Sequence, residues 1–263
     1  MHVHCEHPLW AYTSRCDNTT VRVVQPREQV HRGRIVLVIN SFEGSRAVER
    51  AVAHGFGSED TLVVSGGASA ESLVRTEHCI HYKVVHNSID FTGLITVVER
   101  LPNIVRAMGT FDAFFYSHDT VEFGQAFRSR VLSFDLQSSL RLLPSVSMNM
   151  GVYRMSELQQ CAHVLRQWRS RDHPTQNDLR TLKAFGVYWE DGVFACMRTA
   201  HAMTSQERCV RSQLPARVYN GTALRIAEHY LDLDLVKFKA NWRAPNATPG
   251  ARAPRSSSWV LGS

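Results

Sequence analysis

Apolar residues along this chain fall into short unbroken runs, with stretches of helical spacing between them. Ile35–Ile39 is a continuous aliphatic run, the pattern of a strand buried on both faces. It gives way to the polar stretch Asn40–Gly44. Arg46–His54 then carries Ala47, Val48, Ala51 and Val52 at helical spacing, with Gly55 and Gly57 as stops. Thr61–Ser65 predicts a second strand, closed by Gly66 and Gly67, and Ile80–Val85 a third. Ile89–Leu101 predicts a helix with Leu94, Ile95, Val97 and Val98 on its apolar side. Phe111–Tyr116 predicts a fourth strand, ending in Ser117, His118 and Asp119.

The second half is more mixed. Leu140–Val146 reads as extended and Asn149–Tyr153 as a turn into a short strand. Ser156–Trp168 predicts an amphipathic helix with Ser156 as its N-cap and Leu158, Cys161, Ala162, Leu165 and Trp168 inward. Thr175–Phe185 predicts another helix. Trp189–Asp191 is read as opening a separate helical segment, Gly192–Arg198, and Leu224–Tyr230 as a short late helix. Strands alternating with helices predict an α/β fold whose mainly parallel, mixed sheet is flanked by helices. Ligands in such sheets gather at the carboxyl ends of strands. Three of those ends are polar or glycine-rich: Asn40–Glu43, Ser65–Gly67 and Ser117–Asp119. The chain divides into an arm (1–31), one folded domain (32–243) and a proline- and serine-rich tail (244–263) expected to be disordered.

Composition narrows the class. At 44% apolar and 21% charged residues the chain is neither disordered nor a coiled coil. Its longest aliphatic run has five residues, against about 20 for a bilayer span, so no membrane span is expected. The net charge is +6, with 26 arginines and 4 lysines, which suits an anionic ligand. The six cysteines show no CxxC pair, and the first ten residues lack an apolar signal core. The expectation is a soluble, cytoplasmic protein with reduced thiols, and the sequons at Asn18, Asn220 and Asn246 read as chance matches. His2, His4, Cys5 and His7 have no matching second half for a zinc finger.

Several chemistries lack their motif. There is no GxGxxG after the first strand, no GxxxxGK[ST], no GxSxG and no HExxH. Four constellations remain. Asp119, after a buried strand, is placed to hold Mg²⁺ or Mn²⁺ against a diphosphate, or else to cap a helix over Val121–Leu132. Glu190 and Asp191, read at a helix start, offer a general base and a cap. Ser147–Gly151 offers amide contacts to a polyhydroxylated ligand. His86–Asp90 either contacts a nucleotide sugar or caps the helix after it.

In their order, these segments resemble GT-A-fold glycosyltransferases, which move a sugar from a nucleotide sugar to an acceptor. The segments that carry the resemblance are Ile35–Ile39 with Asn40–Glu43, then Ser117–Asp119, Ser147–Gly151 and Trp189–Asp191. The resemblance spans about residues 33 to 243 and is to small viral and algal glycosyltransferases in particular. The resemblance implies a divalent cation at Asp119 and Asp191 as the base that activates the acceptor hydroxyl, with inversion at the anomeric carbon. Glu190 would orient it. Asn40, Ser41, Phe42, Gly66, Asn87, Asp90 and His118 would contact the donor, and Asn149 and Gly151 the donor sugar or acceptor. The acceptor would be a glycan, protein or lipid. Ser117 stands where the family carries its first metal-binding acid, so Glu122, His201 or His229 would have to help complete a metal shell. Three other readings use the same residues: an inactive nucleotide- or carbohydrate-binding domain, a nucleotidyltransferase, and a nucleic-acid binder. The last has charge in its favour but no RRM, KH, zinc-finger or helix-turn-helix signature.

Overall fold

The computed structural model describes residues 33–43, 45, 56–133, 150–200, 218–222, 225–230 and 233–239. The expected helix at Arg46–His54, the extended segment Leu140–Val146, Asn149, the arm and the tail lie outside the described residues.

The continuous apolar runs form the middle of one sheet. Its strands are β1 (Ile35–Phe42), β2 (Thr61–Gly66), β3 (Ser72–Arg75), β4 (Ile80–Val84), β5 (Ala113–His118) and β7 (Gly151–Arg154), in the order β3-β4-β2-β1-β5-β7. β1 pairs in parallel with β2 and β5, and β2 with β4. The edge strands β3 and β7 are antiparallel. The fold is therefore mixed α/β with a mostly parallel six-stranded sheet and flanking helices, as the patterning predicts.

Each central strand divides its side chains between two cores, as the two-residue period requires. Val36, Val38, Leu62, Val64, Phe114 and Tyr116 face one core with the helices α1 (Thr92–Glu99), α2 (Leu101–Met108), α4 (Met155–Gln160), α5 (Ala162–Gln167) and α6 (Gln176–Ala200). Leu37, Ile39, Val63 and Phe115 face the other, with α3 (Phe127–Leu132) and a second sheet. That sheet holds β6 (Val121–Phe123), β8 (Val218–Thr222), β9 (Arg225–Tyr230) and β10 (Leu235–Lys239) in the order β6-β10-β9-β8.

Several expectations change. Leu224–Tyr230 is not a helix: Arg225–Tyr230 is strand β9, paired on both sides by β8 and β10. The helix expected over Val121–Leu132 is strand β6, a turn and the short α3, because Val121–Phe123 pairs with β10. Ile89–Leu101 becomes a 3-10 turn (Ile89–Phe91) followed by α1, and α2 goes beyond the predicted end. Ser156–Trp168 begins at Met155 without a side-chain cap and divides at Cys161. The two helices expected between Thr175 and Arg198 are one, α6. It starts where Thr175 and Asp178 exchange hydrogen bonds as a capping box. Gly192 does not stop it. A Cβ at Gly192 would lie 4.0 Å from Val164 Cγ1, so α6 lies against α5 there.

Cys161, between α4 and α5, forms a disulfide with Cys196 of α6. The expectation of reduced thiols is corrected for this pair, while Cys79 is free and buried. Among the described residues no helix is long and apolar enough to cross a membrane.

Candidate functional site

Chain direction makes one point of the large sheet special. β1, β2 and β4 progress to one side, and the chain then returns to place β5 on the other side of β1. The crevice beyond the carboxyl ends of β1 and β5 is thus a topological switch point, the usual ligand position in open α/β sheets. Asn40 of β1 lies opposite His118 of β5 there.

The structure brings most of the sequence-predicted donor residues to this edge. Asn40, Ser41 and Phe42 end β1, Gly66 ends β2, Asn87 and Asp90 follow β4, and His118 and Asp119 close β5. Gly151 opens β7 opposite Tyr116, at the same edge. Asn149 lies outside the described residues.

Asp119 is buried, and its Oδ2 accepts hydrogen bonds from the Ser41 hydroxyl (2.7 Å) and the Ser45 hydroxyl (2.5 Å). Its backbone N–H is donated to the Asn40 carbonyl, which locks the end of β5 onto β1. This carboxylate therefore does not cap a helix. Ser117 is fully buried and donates to the His118 carbonyl, so position 117 has no outlet to the crevice.

The four constellations meet different fates. The His86–Asp90 segment is largely consumed by its own turn. Asn87 Oδ1 accepts the Ile89 N–H, and the Asn87 N–H is donated to Ser170 Oγ. Asn40 is consumed as well: its Oδ1 accepts the Gly93 N–H (2.7 Å) and its amide donates to the Ile89 carbonyl (3.0 Å). Asn40 and Asn87 thus hold the corner that presents Asp90. Ile89 sits at φ 53°, a left-handed conformation that costs a β-branched residue on the order of 1–2 kcal/mol and persists where the surroundings over-determine it.

Asp90 is held through both its backbone and its side chain. Tyr116 Oη donates to its carbonyl at 2.7 Å, Lys183 Nζ of α6 reaches Oδ2 at 3.1 Å, and His118 Nδ1 lies 3.5 Å from Oδ1. Burial works to raise the Asp90 pKa, but His118, Lys183 and Lys237 outweigh it and leave it below the usual carboxylate value. Burial pushes the His118 imidazole the other way, well below the ordinary histidine value. His118 Nε2 is buried and has no hydrogen-bond partner among the described residues. Lys237, brought in by β10, is itself buried.

Glycine is required where α1 approaches. A Cβ at Gly93 would stand 2.7 Å from Tyr116 Cε2 and 3.3 Å from Asn40 Oδ1. Tyr116 cannot yield, being fully buried with Phe114, His118 and Tyr153 around its ring. In an open helix Gly→Ala stabilises by about 1 kcal/mol. Here Gly93→Ala is expected to destabilise by about 1–3 kcal/mol through overpacking, read as a lower denaturation midpoint.

His86 sets a pH dependence. It is buried against Ser88 and Thr96, with Arg169, Asp172, Arg100 and Glu71 around it, and burial lowers its pKa from 6.5 to about 4. The unfolded chain therefore takes up this proton first, and stability is full above pH 6.5 and falls as pH drops toward 4. Chemical denaturation at pH 7 and pH 5 is expected to show the loss, and His86→Gln to reduce it.

Glu190 and Asp191 correct the sequence reading. They lie in the interior of α6 and not at a helix start, so no helix-terminal dipole acts on them. Their side chains lie outside the described residues. Lys183 and Lys237 were not anticipated. The available signal is composition: in a chain with 26 arginines and four lysines, Lys83, Lys183 and Lys237 all come to this edge, Lys83 by pairing with Glu43 just beyond β1.

Among the described residues no three His, Cys, Asp or Glu side chains come together to hold a metal ion. His201 lies outside them, Glu122 is exposed on β6, and His229 lies two strands from β6 in the second sheet. Asp119 would offer a divalent cation a single carboxylate, whose Oδ2 already accepts two hydroxyl protons.

Comparison of the chain with protein-family models, with curated proteins and with solved structures found no match. What the fold defines is therefore the class alone, a mixed α/β protein with a mostly parallel sheet.

Proposed function

We propose that the chain is a glycosyltransferase, transferring a sugar from a nucleotide-diphosphate sugar to an acceptor hydroxyl at the β1–β5 crevice. The observation that carries this reading is the convergence of Ser41, Asp90, His118 and Asp119 at the switch point of a mostly parallel sheet. The Ser41 and Ser45 hydroxyls spend their protons on Asp119 Oδ2, so the diphosphate end of such a donor would meet this carboxylate through a cation. A divalent cation at Asp119 would neutralise charge growing on the departing diphosphate.

The chain's own residues have separate tasks in this reading. Ser41 and Ser45 fix the Asp119 carboxylate, so it needs no reorientation when the ligand arrives. Lys183 and Lys237 add positive charge near the crevice. Asp191 remains the proposed base, with Glu190 orienting the acceptor. Glu190→Gln and Asp191→Ala are the pair of variants that tests these two roles. Inversion at the anomeric carbon follows if one base acts opposite one leaving group.

The test is a thermal-shift and transfer panel of UDP-, GDP-, TDP- and CMP-sugars, with and without Mn²⁺. A ligand that binds only the folded chain raises its melting temperature by mass action. At least one donor is expected to raise it and to be consumed with an acceptor. A panel with no shift and no turnover would remove the proposal. Turnover that persists in excess EDTA would remove only the cation.

A further inference from the structure

We infer that His118 is a hydroxyl-recognition residue: its Nε2 accepts a hydrogen bond from a ligand O–H, and Asp90 sets the tautomer that makes it an acceptor. The inference deepens the transferase reading and rests on it for the identity of the ligand as a sugar or its acceptor.

The starting observation is an unsatisfied atom. Buried polar side-chain atoms almost always find a partner, and leaving one without costs on the order of 1–3 kcal/mol. His118 Nε2 is buried and has none among the described residues. Nδ1 of the same ring is 3.5 Å from Asp90 Oδ1, too long for a good hydrogen bond but close enough for the charge to act. A neutral imidazole carries one proton, on either nitrogen. A lone pair on Nδ1 would face the Asp90 carboxylate and be repelled, whereas an N–H there is attracted. The proton therefore belongs on Nδ1, and Nε2 is left as a bare acceptor.

The ring and its partner are held in place. Tyr116 lies edge-on to His118 and donates to the Asp90 carbonyl, Lys183 clasps Asp90 Oδ2, and Asn40 ties the Ile89 carbonyl. The strained φ at Ile89 belongs to this same corner. Several elements thus fix a carboxylate–imidazole pair whose far nitrogen has no partner among the described residues.

Acceptor character selects the ligand group. A phosphate oxygen is itself an acceptor and is disfavoured at Nε2. An alcohol O–H is favoured. A ligand hydroxyl, and not a phosphate oxygen, therefore belongs at His118.

The experiment uses the full chain labelled with ¹⁵N and long-range ¹H–¹⁵N correlation of the imidazoles, with His118→Gln for assignment. The free protein is expected to carry its His118 proton on Nδ1, and Asp90→Asn to move a measurable fraction to Nε2. A proton on Nε2 in the free wild-type chain overturns the inference, whatever the enzyme's activity. Nucleotide sugars that raise the melting temperature are then added beside their parent UDP or GDP. The sugars are expected to shift Nε2 and the parents to leave it. His118→Phe is expected to weaken sugar-nucleotide binding about tenfold while sparing the parents.

Equal response to both sets, or no response to a bound nucleotide sugar, shows that Nε2 holds only water and overturns the inference. If no nucleotide sugar binds, the transferase reading fails by itself. Methyl glucoside at high concentration is then read on the same resonance: movement of Nε2 retains the hydroxyl assignment, and a still resonance overturns it.

Discussion

Asp119→Asn is expected to lower kcat/KM for sugar transfer by about 10²–10³-fold while the protein stays folded. The substitution keeps the shape of the side chain and, in the place of Oδ2, an amide oxygen that can accept from both serine hydroxyls, but removes the charge. Loss of one preorganised electrostatic group at a developing charge has effects of that size. The stability cost is smaller, about 1–2 kcal/mol, because the Ser41 and Ser45 hydroxyls, which share Oδ2, exchange a charged acceptor for a neutral one. Steady-state transfer assays, with circular dichroism to confirm folding, separate the two effects. A variant that turns over at the wild-type rate would take Asp119 out of the mechanism.

The second large effect concerns stability. Cys161 and Cys196 are 35 residues apart, and closing a loop of that length removes about 4 kcal/mol of conformational freedom from the unfolded chain in the entropic model. The bond also joins the α4–α5 junction to α6, the helix that brings Lys183 to Asp90. Reduction by a dithiol, or Cys161→Ser with Cys196→Ser, is expected to cost about 2–4 kcal/mol. The check is guanidinium denaturation of the oxidised, reduced and doubly substituted chains. Coincident midpoints in all three would contradict the expectation.

The central strands were legible because burial on both faces leaves a signature that needs no partner. Ile35–Ile39 and Thr61–Ser65 are apolar or β-branched almost throughout, and they start β1 and β2 at the predicted residues, β1 running three residues past its predicted end and β2 one. Strand β9 was not legible. In Leu224–Tyr230, Leu224, Ala227 and Tyr230 recur at helical spacing, and short apolar segments do not tell a half-buried strand from a helix turn. Pairing with β8 and β10 decides it. The same holds for β6, whose three residues are a strand only because β10 lies beside them.

The candidate site divides in a similar way. Strand ends are local features, so Asn40, Ser41, His118 and Asp119 could be named from sequence. What each side chain binds is not local. Asn40 reads as a donor contact, yet both ends of its amide are spent on Ile89 and Gly93, some fifty residues away. Asp90 and His118 were both named, but nothing in the sequence says that they face each other. Lys183 and Lys237 arrive on an amphipathic helix and an antiparallel strand, where a lysine is ordinarily a solvated residue.

The most direct test of the account is a crystal structure of the chain with a nucleotide sugar that raises its melting temperature. The account predicts the diphosphate beyond the ends of β1 and β5, bridged by a cation to Asp119, with a ligand hydroxyl at His118 Nε2. A nucleotide seated on any other surface, with this crevice empty, would contradict it.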